Sequence, residues 1–331
     1  MKTTTNATRT TTTAAEKKGA ETMKKTTAPA LIPMTNEAAR ATATAELEAQ
    51  KKAATARRLA KMRANLAKLE REAADIIAKG AEMTQADRSR LLQLINIKLH
   101  EEGSKIADIF SIDSTAACEF CTAMRRSAED NILMICRYCY AAADAWKEAS
   151  WRRHQLNALI LSTVLFTVEE LATLPIGALC RFNEDGDTVN ETMARNYIRI
   201  AIAHPGTRFG YWYKNAPAVE AGLRAEGITT RDALPENIRF IHSSMLIGFE
   251  ARPLWFDDAI FTVYPDAATT EAAIAAGGHE CNGRKCRNCG FTCYLMQRPA
   301  QPLHIAEVLR CSKAARVEIL AAYRARLARF A

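Results

Sequence analysis

The residues of this chain best able to do chemistry are its cysteines. It has ten, and eight of them fall into two sets of four. The second set reads CNGRKCRNCGFTC, that is Cys281-x4-Cys286-x2-Cys289-x3-Cys293, four thiols within thirteen residues. Closing a loop between such near neighbours costs little entropy, so one loop can present all four sulfurs to a metal. Gly283 and Gly290 permit the tight turns this needs. Thiolates suit Zn²⁺ or an iron–sulfur cluster. The Cys286–Cys293 part has the spacing that ends the bacterial ferredoxin run, with Tyr294 where proline usually follows. The Cys281–Cys289 part has the plant-type ferredoxin spacing, with Cys311 as a distant fourth ligand. Both lean towards iron, with a 4Fe-4S cluster favoured.

The first set is Cys118-x2-Cys121, fourteen intervening residues, then Cys136-x2-Cys139. Paired CxxC knuckles at about this separation are the pattern of a Cys₄ zinc site. The segment between them, 122–135, has room for a short helix. The two sets can stand as two sites or share one. Alternatively, only Cys136 and Cys139 ligate, and Cys118 and Cys121 are packing thiols. Cys180 falls inside an apolar run and reads as a core residue. His242 and His304 adjoin apolar runs and read as satisfied core histidines. His279 precedes Cys281 by two residues and reads as a surface or supporting group. There is no Walker loop, dinucleotide fingerprint or nucleophile elbow.

Such loops need a scaffold. From about residue 104 the sequence alternates strand and helix patterns. The expected strands are Ala178–Phe182, Arg208–Tyr213, Ile238–His242 and Ala259–Val263. The expected helices are Glu191–Ala203, Pro217–Glu226 and Thr270–Ala276, with a closing helix from about Ser312 to Phe330. On that last helix Ile319, Tyr323, Leu327 and Phe330 share a face. This alternation predicts an α/β fold, a βα-repeat parallel sheet or partial barrel carrying Cys-rich metal loops. In such folds ligands bind beyond the C-terminal ends of the strands. That rule nominates Asp187, Lys214, Asn215 and Ser243 as ligand- or cofactor-binding residues. Asp185 and Asp187 also fit a plain polar turn through Gly186.

The N-terminal third is different. Residues 1–45 are rich in Thr, Ala and Lys and predict a disordered basic arm. Residues 46–103 predict a helical segment, and 104–331 the α/β metal-binding domain. Within the helical segment Leu59, Met62, Leu66, Leu69, Ala73 and Ile76 form a seam of alternating three- and four-residue spacing. The seam suits packing on the body or self-association between copies. Thr84 and Asp87 resemble a capping box for a second helix, with Leu92, Ile95 and Leu99 as its apolar face and Gly103 just beyond. Residues 1–80 hold ten Lys and six Arg against eight acidic residues, so the entire net charge of +8 lies there. A basic arm of this kind can hold DNA or RNA through phosphate contacts; a solvated tail is the alternative.

The whole chain has 331 residues, 48% of them hydrophobic, enough for a core without disulfide staples. No secretory signal precedes the threonine-rich start. The longest apolar stretch, about 156–168, is shorter than the ~20 residues that span a bilayer. A cytoplasmic, reducing compartment follows as the expectation.

The segments GSKIADIFSIDSTAAC and CRYCYAAADAWKEASWRRHQLN resemble the "gene product 88" family of bacteriophage and mobile-element proteins. Cys139-Tyr140-Ala141 matches that family's Cys-Tyr-Ala signature, and Arg153 and Asn157 fit the helix that follows. Later segments resemble the family in order: Arg181–Asp187, Phe209–Asn215, Pro235–Ser244, the loop Cys281–Cys293, and His304–Ala306. The resemblance covers about Ser104 to Leu309. Ala107 departs from the usual glycine, and the Cys121–Cys136 spacing is long. The resemblance implies a phage or plasmid origin and a bacterial host cytoplasm, but no settled activity. Three readings remain. One is an iron–sulfur protein, catalytic or not, acting on nucleic acid or nucleotides. Another is a non-catalytic, zinc-stabilised module that binds nucleic acid. The third is a phage structural or assembly factor that uses the Leu59–Ile76 seam.

Overall fold

The computed structural model describes residues 37–101, 106–115, 118–129, 131–139, 148–281, 286, 289, 292–294 and 297–329. The first 36 residues of the expected arm, Tyr140 and Ala141 of the signature, and Gly103, Gly283, Gly290 and Phe330 lie outside that set.

Residues Met1–Ala54 and Thr55–Ala331 form two separate units. The long helix α1 runs from Glu37 to Ile77. It therefore starts nine residues earlier than its composition suggests, inside the segment expected to be disordered. Within the second unit the seam splits. Leu59 is exposed, whereas Leu66, Ala73 and Ile76 are buried. Ala73 and Ile76 join the main core, with Leu69 packed against it. The C-terminal half of the seam is thus an intramolecular packing face.

Helix α2 (Gln85–Leu94) opens on the expected capping box: Thr84 and Asp87 exchange side-chain-to-backbone hydrogen bonds. It ends at Leu94, sooner than expected. Leu99 does not continue its face but lies exposed in a short strand, β1 (Lys98–Leu99). The strands that follow are β2 (Phe110–Ile112), β3 (Leu179–Phe182), β4 (Arg208–Tyr213), β5 (Ile238–Ser243), β6 (Ala259–Tyr264), β7 (His279–Glu280) and β8 (Leu303–Val308). The remaining helices are α3 (Glu119–Glu129), α4 (Glu148–Thr163), α5 (Val168–Leu171), α6 (Glu191–Ala203), α7 (Ala216–Ala225), α8 (Ala267–Ala275) and α9 (Lys313–Leu327).

The strands form one sheet in the order β1-β2-β3-β4-β5-β6-β8-β7. Among the described strands only β1 and β2 pair antiparallel. From β2 to β6 neighbours in sequence are parallel neighbours in space. Successive crossovers of one hand then put α4, α6 and α7 on a single face. That face holds the main core: Phe182 of β3, Phe209, Tyr211 and Tyr213 of β4 and Phe240 of β5, against Tyr197 of α6 and Val219 and Leu223 of α7. Phe182 stacks on Tyr197 and Phe209 at 4.3 and 5.0 Å. Each such ring contributes roughly 1.5–3 kcal/mol by burial.

Side chains alternate across a strand. The residues between these core positions, Arg181, Trp212, Ile241, Phe261 and Ile305, therefore face the other way. Among the described helices, α3 lies at that second face, its Phe120, Cys121 and Arg125 facing the same space as Trp212 and Ile305. The cysteine-rich segments cover it too: Cys281 and Cys293 pack against Ile241, Ala259 and Ile305, and Tyr294 packs with Ile106 and Ile109. Gly210 makes this possible. A Cβ there would lie 3.1 Å from the Cys293 carbonyl and 3.3 Å from the Tyr294 ring. Among the described residues no helix is long and apolar enough to cross a membrane.

Candidate functional site

The second face of the sheet, its C-terminal rim and the cysteine segments enclose a cavity of about 510 Å³. That volume is in the range of small-molecule sites. Cys121, Cys136 and Cys139 of the first set line it, as do Cys281, Cys286, Cys289 and Cys293 of the second. Two segments far apart in sequence thus open onto one space.

The first set is held by α3 and a short 3₁₀ turn, Ile135–Tyr138. Cys118 stands just before α3, and its Sγ accepts the Cys121 N–H at 3.3 Å. A hydrogen bond of this kind is what a metal thiolate receives in its supporting shell. The Cys118–Cys121 contact lowers the pKa of the Cys118 thiol and raises that of Cys121. Burial pushes the Cys136 thiol up, opposed by the charge of Lys214. In the second set Cys281 is fixed to β8 by its N–H to the Ala306 carbonyl, 2.8 Å. The Cys293 thiol is pushed up to about 12 by burial, with Arg181 acting against it. Soft donors in a partly buried pocket fit a soft metal. Among the described residues, however, no three His, Cys, Asp or Glu side chains are drawn together as a ligand sphere. Cys311 lines a neighbouring, more open pocket with Cys281 and Arg316 rather than this cavity.

Each nominated rim residue has a definite place. Asp187 is buried, and its carboxylate accepts the backbone N–H groups of Thr188 (2.7 Å), Lys214 (2.9 Å) and Asn215 (3.2 Å). Burial raises its pKa, opposed by Lys214 and these donors. Its work is to tie the turn after β3 to the turn after β4. Asn215 does the same from the other side, donating Nδ2 to the Thr188 carbonyl at 2.9 Å. Lys214 and Ser243 differ. Both line the cavity, and neither side chain has a hydrogen bond among the described residues. Burial acts to lower the Lys214 pKa, but Asp187 and the thiols Cys136, Cys139 and Cys121 outweigh it, so the net shift is upward. Lys214 is an ammonium.

Sequence reasoning missed two features. Arg181 lies 4.3 Å above the Trp212 ring, and both line the cavity. Trp212 and Lys214 share an alternation, so extending it two residues back from Lys214 finds the tryptophan. The second feature is a polar chain at the rim beside β2 and β3. Glu184 meets His100 at 2.8 Å, and His100 meets Ser111 at 3.0 Å. Ser111 donates to Asp113 at 2.9 Å. His154 lies 3.8 Å from both Asp113 and Asp185. Asp113 also accepts the Glu184 and Asp185 N–H groups, at 2.8 and 3.3 Å. These groups come from four separate segments, and nothing in their sequence spacing links them.

Of the histidines expected in the core, His242 is buried and satisfied, while His304 is only half-buried. His242 Nδ1 is 3.3 Å from the buried Asp257, which also accepts the Tyr213 hydroxyl. His304 meets Tyr264 and Glu250, each at 3.3 Å. Cys180 is fully buried in the main core. His279 opens β7 and lines the cavity. The chain matches no protein-family model, no curated protein and no solved structure.

Proposed function

We propose that this chain is a thiolate metal protein, iron–sulfur in type, whose cysteine sets flank one ligand cavity where a nucleotide or nucleic-acid component is bound. The observation that carries this reading is the convergence of seven cysteines, Lys214 and Ser243 on one space of about 510 Å³. The ferredoxin-like spacing of Cys281–Cys293 supports iron. The Cys118–Cys139 spacing supports a second, zinc-like site beside Lys214. The cluster or ion would supply electron transfer or Lewis acidity. The chain's own residues supply the floor of the cavity, an ammonium at Lys214 and a hydroxyl at Ser243. The resemblance to the gene product 88 family supports a phage or mobile-element setting in a bacterial cytoplasm.

The test is preparation without oxygen, followed by metal and acid-labile sulfide analysis and an absorption spectrum. Iron and sulfide in comparable amounts, with a thiolate-to-iron band, are expected. A colourless protein holding zinc alone would move the assignment to the second reading. There zinc in the Cys₄ loops stabilises the fold, by on the order of 10 kcal/mol per site, and nucleic acid is held by the basic N-terminal region. The confinement of the +8 charge to residues 1–80 favours that partner. Protein free of both metals would defeat either form.

A further inference from the structure

We infer that the cavity takes a small oxyanion, the phosphate or carboxylate head of an organic ligand, on the donors of β4 and β5. This deepens the reading of the cavity as the ligand site and rests on it.

Two donors support the inference. Tyr213 of β4 pairs in register with His242 of β5. One residue further on, Lys214 and Ser243 are the next neighbours, on strands about 4.8 Å apart. One anion oxygen can meet both side chains. Two residues before Lys214, on the same side of β4, the Trp212 ring lines the cavity, with its indole Nε1 buried. The Arg181 guanidinium above the Trp212 ring adds positive charge to this wall.

The carboxylates beside this wall have other hydrogen-bond partners. Asp187 is occupied by three backbone N–H groups and makes no hydrogen bond to the Lys214 side chain, although its charge acts on Lys214. Glu184 is held by His100. At this wall the Lys214 and Ser243 side chains have no hydrogen bond among the described residues, whereas Asp187 and Glu184 are engaged, which favours an anion. Hydrogen bonds to an ionised partner are the strong class, roughly twice as strong as neutral ones. The rival role for Lys214 is that of counter-ion to Cys121, Cys136 and Cys139. It predicts that replacing Lys214 changes metal retention and leaves anion binding alone.

The experiment uses the full chain, prepared without oxygen, titrated calorimetrically with AMP, adenosine, inorganic phosphate and citrate. Metal content is measured on the same samples. AMP should bind and adenosine should not. Phosphate binding without citrate binding selects a phosphate head, and the reverse selects a carboxylate; either supports the site. Lys214→Met should weaken the binding anion about tenfold or more, and Ser243→Ala about threefold, the sizes expected for a charged and a neutral hydrogen bond. The inference is overturned if no anion binds at millimolar concentration or if adenosine binds as well as AMP. Unchanged binding in Ser243→Ala together with Lys214→Met also overturns it. Metal without anion binding sinks this inference and leaves the metal reading standing; anion binding without metal sinks the metal reading and leaves this inference standing.

Discussion

Asp185 shows how a single side chain at the rim reports its surroundings. Its carboxyl is pushed up to about 6, chiefly by burial and further by the charges of Asp113 and Glu184. The ordinary value is about 3.9. Between these values the folded protein holds the proton and the unfolded chain does not. This contribution to stability is therefore complete below about pH 4 and is lost as pH rises through 6. The free energy of that proton changes by about 1.4 kcal/mol for each pH unit between the two values, so the loss is on the order of 1–3 kcal/mol. Asp185→Asn should gain about that much over wild type between pH 4 and pH 7.5, read from urea midpoints at both values. A constant difference would show that Asp185 titrates normally. Residue types are legible in the sequence at this scale, but roles are not. Asp187 and Asn215 follow strands as ligand-binding residues do, yet their polar atoms are occupied by the backbone of the neighbouring turn. Lys214 and Ser243 satisfy the same positional rule and keep theirs for the cavity.

Elements are legible where their pattern is long enough to be local. The aromatic run Arg208–Tyr213 and the helix Glu191–Ala203 match the expected bounds. The Thr84 capping box marks the start of α2 because its partners are three residues apart. Strands β1, β2 and β7 are two or three residues long. Pairing with distant strands decides them, and no local periodicity announces it. β8 is six residues long but has polar His304 and Glu307 within it, which interrupt the apolar signal. Docking of elements is likewise non-local. Arg88 of α2 grips Glu170 of α5 through two hydrogen bonds, at 2.5 and 2.7 Å, with Glu170 buried. The Arg88 contact holds the Glu170 carboxyl down at about 2. Arg88→Ala should cost about 3 kcal/mol, because it strands a buried carboxylate. A lowered denaturant midpoint with an unchanged slope is the expected result; a change under about 0.5 kcal/mol would make the pair a surface contact in effect. Gly186 is another local signal with a distant cause. Its φ is +85°, and a Cβ there would run into the Ser114 carbonyl.

For the whole molecule the division at Ala54 sets where the chain can be cut. Deleting through residue 80 would remove Leu66, Ala73 and Ile76 from buried positions. Deleting residues 1–54 leaves them in place and removes nine basic and five acidic residues. If the arm holds nucleic acid, this deletion should weaken duplex DNA binding and flatten its salt dependence, by about 0.9 in logarithmic slope per lost phosphate contact. Thermal unfolding of the remainder should stay unchanged. Equal DNA binding with and without the arm would remove nucleic acid as its partner. The sequence alone determined the α/β class, the four central strands, the capping box and the two thiol sets, because each is written in spacings of a few residues. Tertiary structure decided that both thiol sets open onto one cavity. It also decided that Arg181, Trp212, Lys214 and Ser243 share one wall of it. The reason is the sheet itself: parallel pairing in sequential order sends α4, α6 and α7 to one face and leaves the other for α3 and the cysteine segments, a choice made by contacts between residues far apart in the chain.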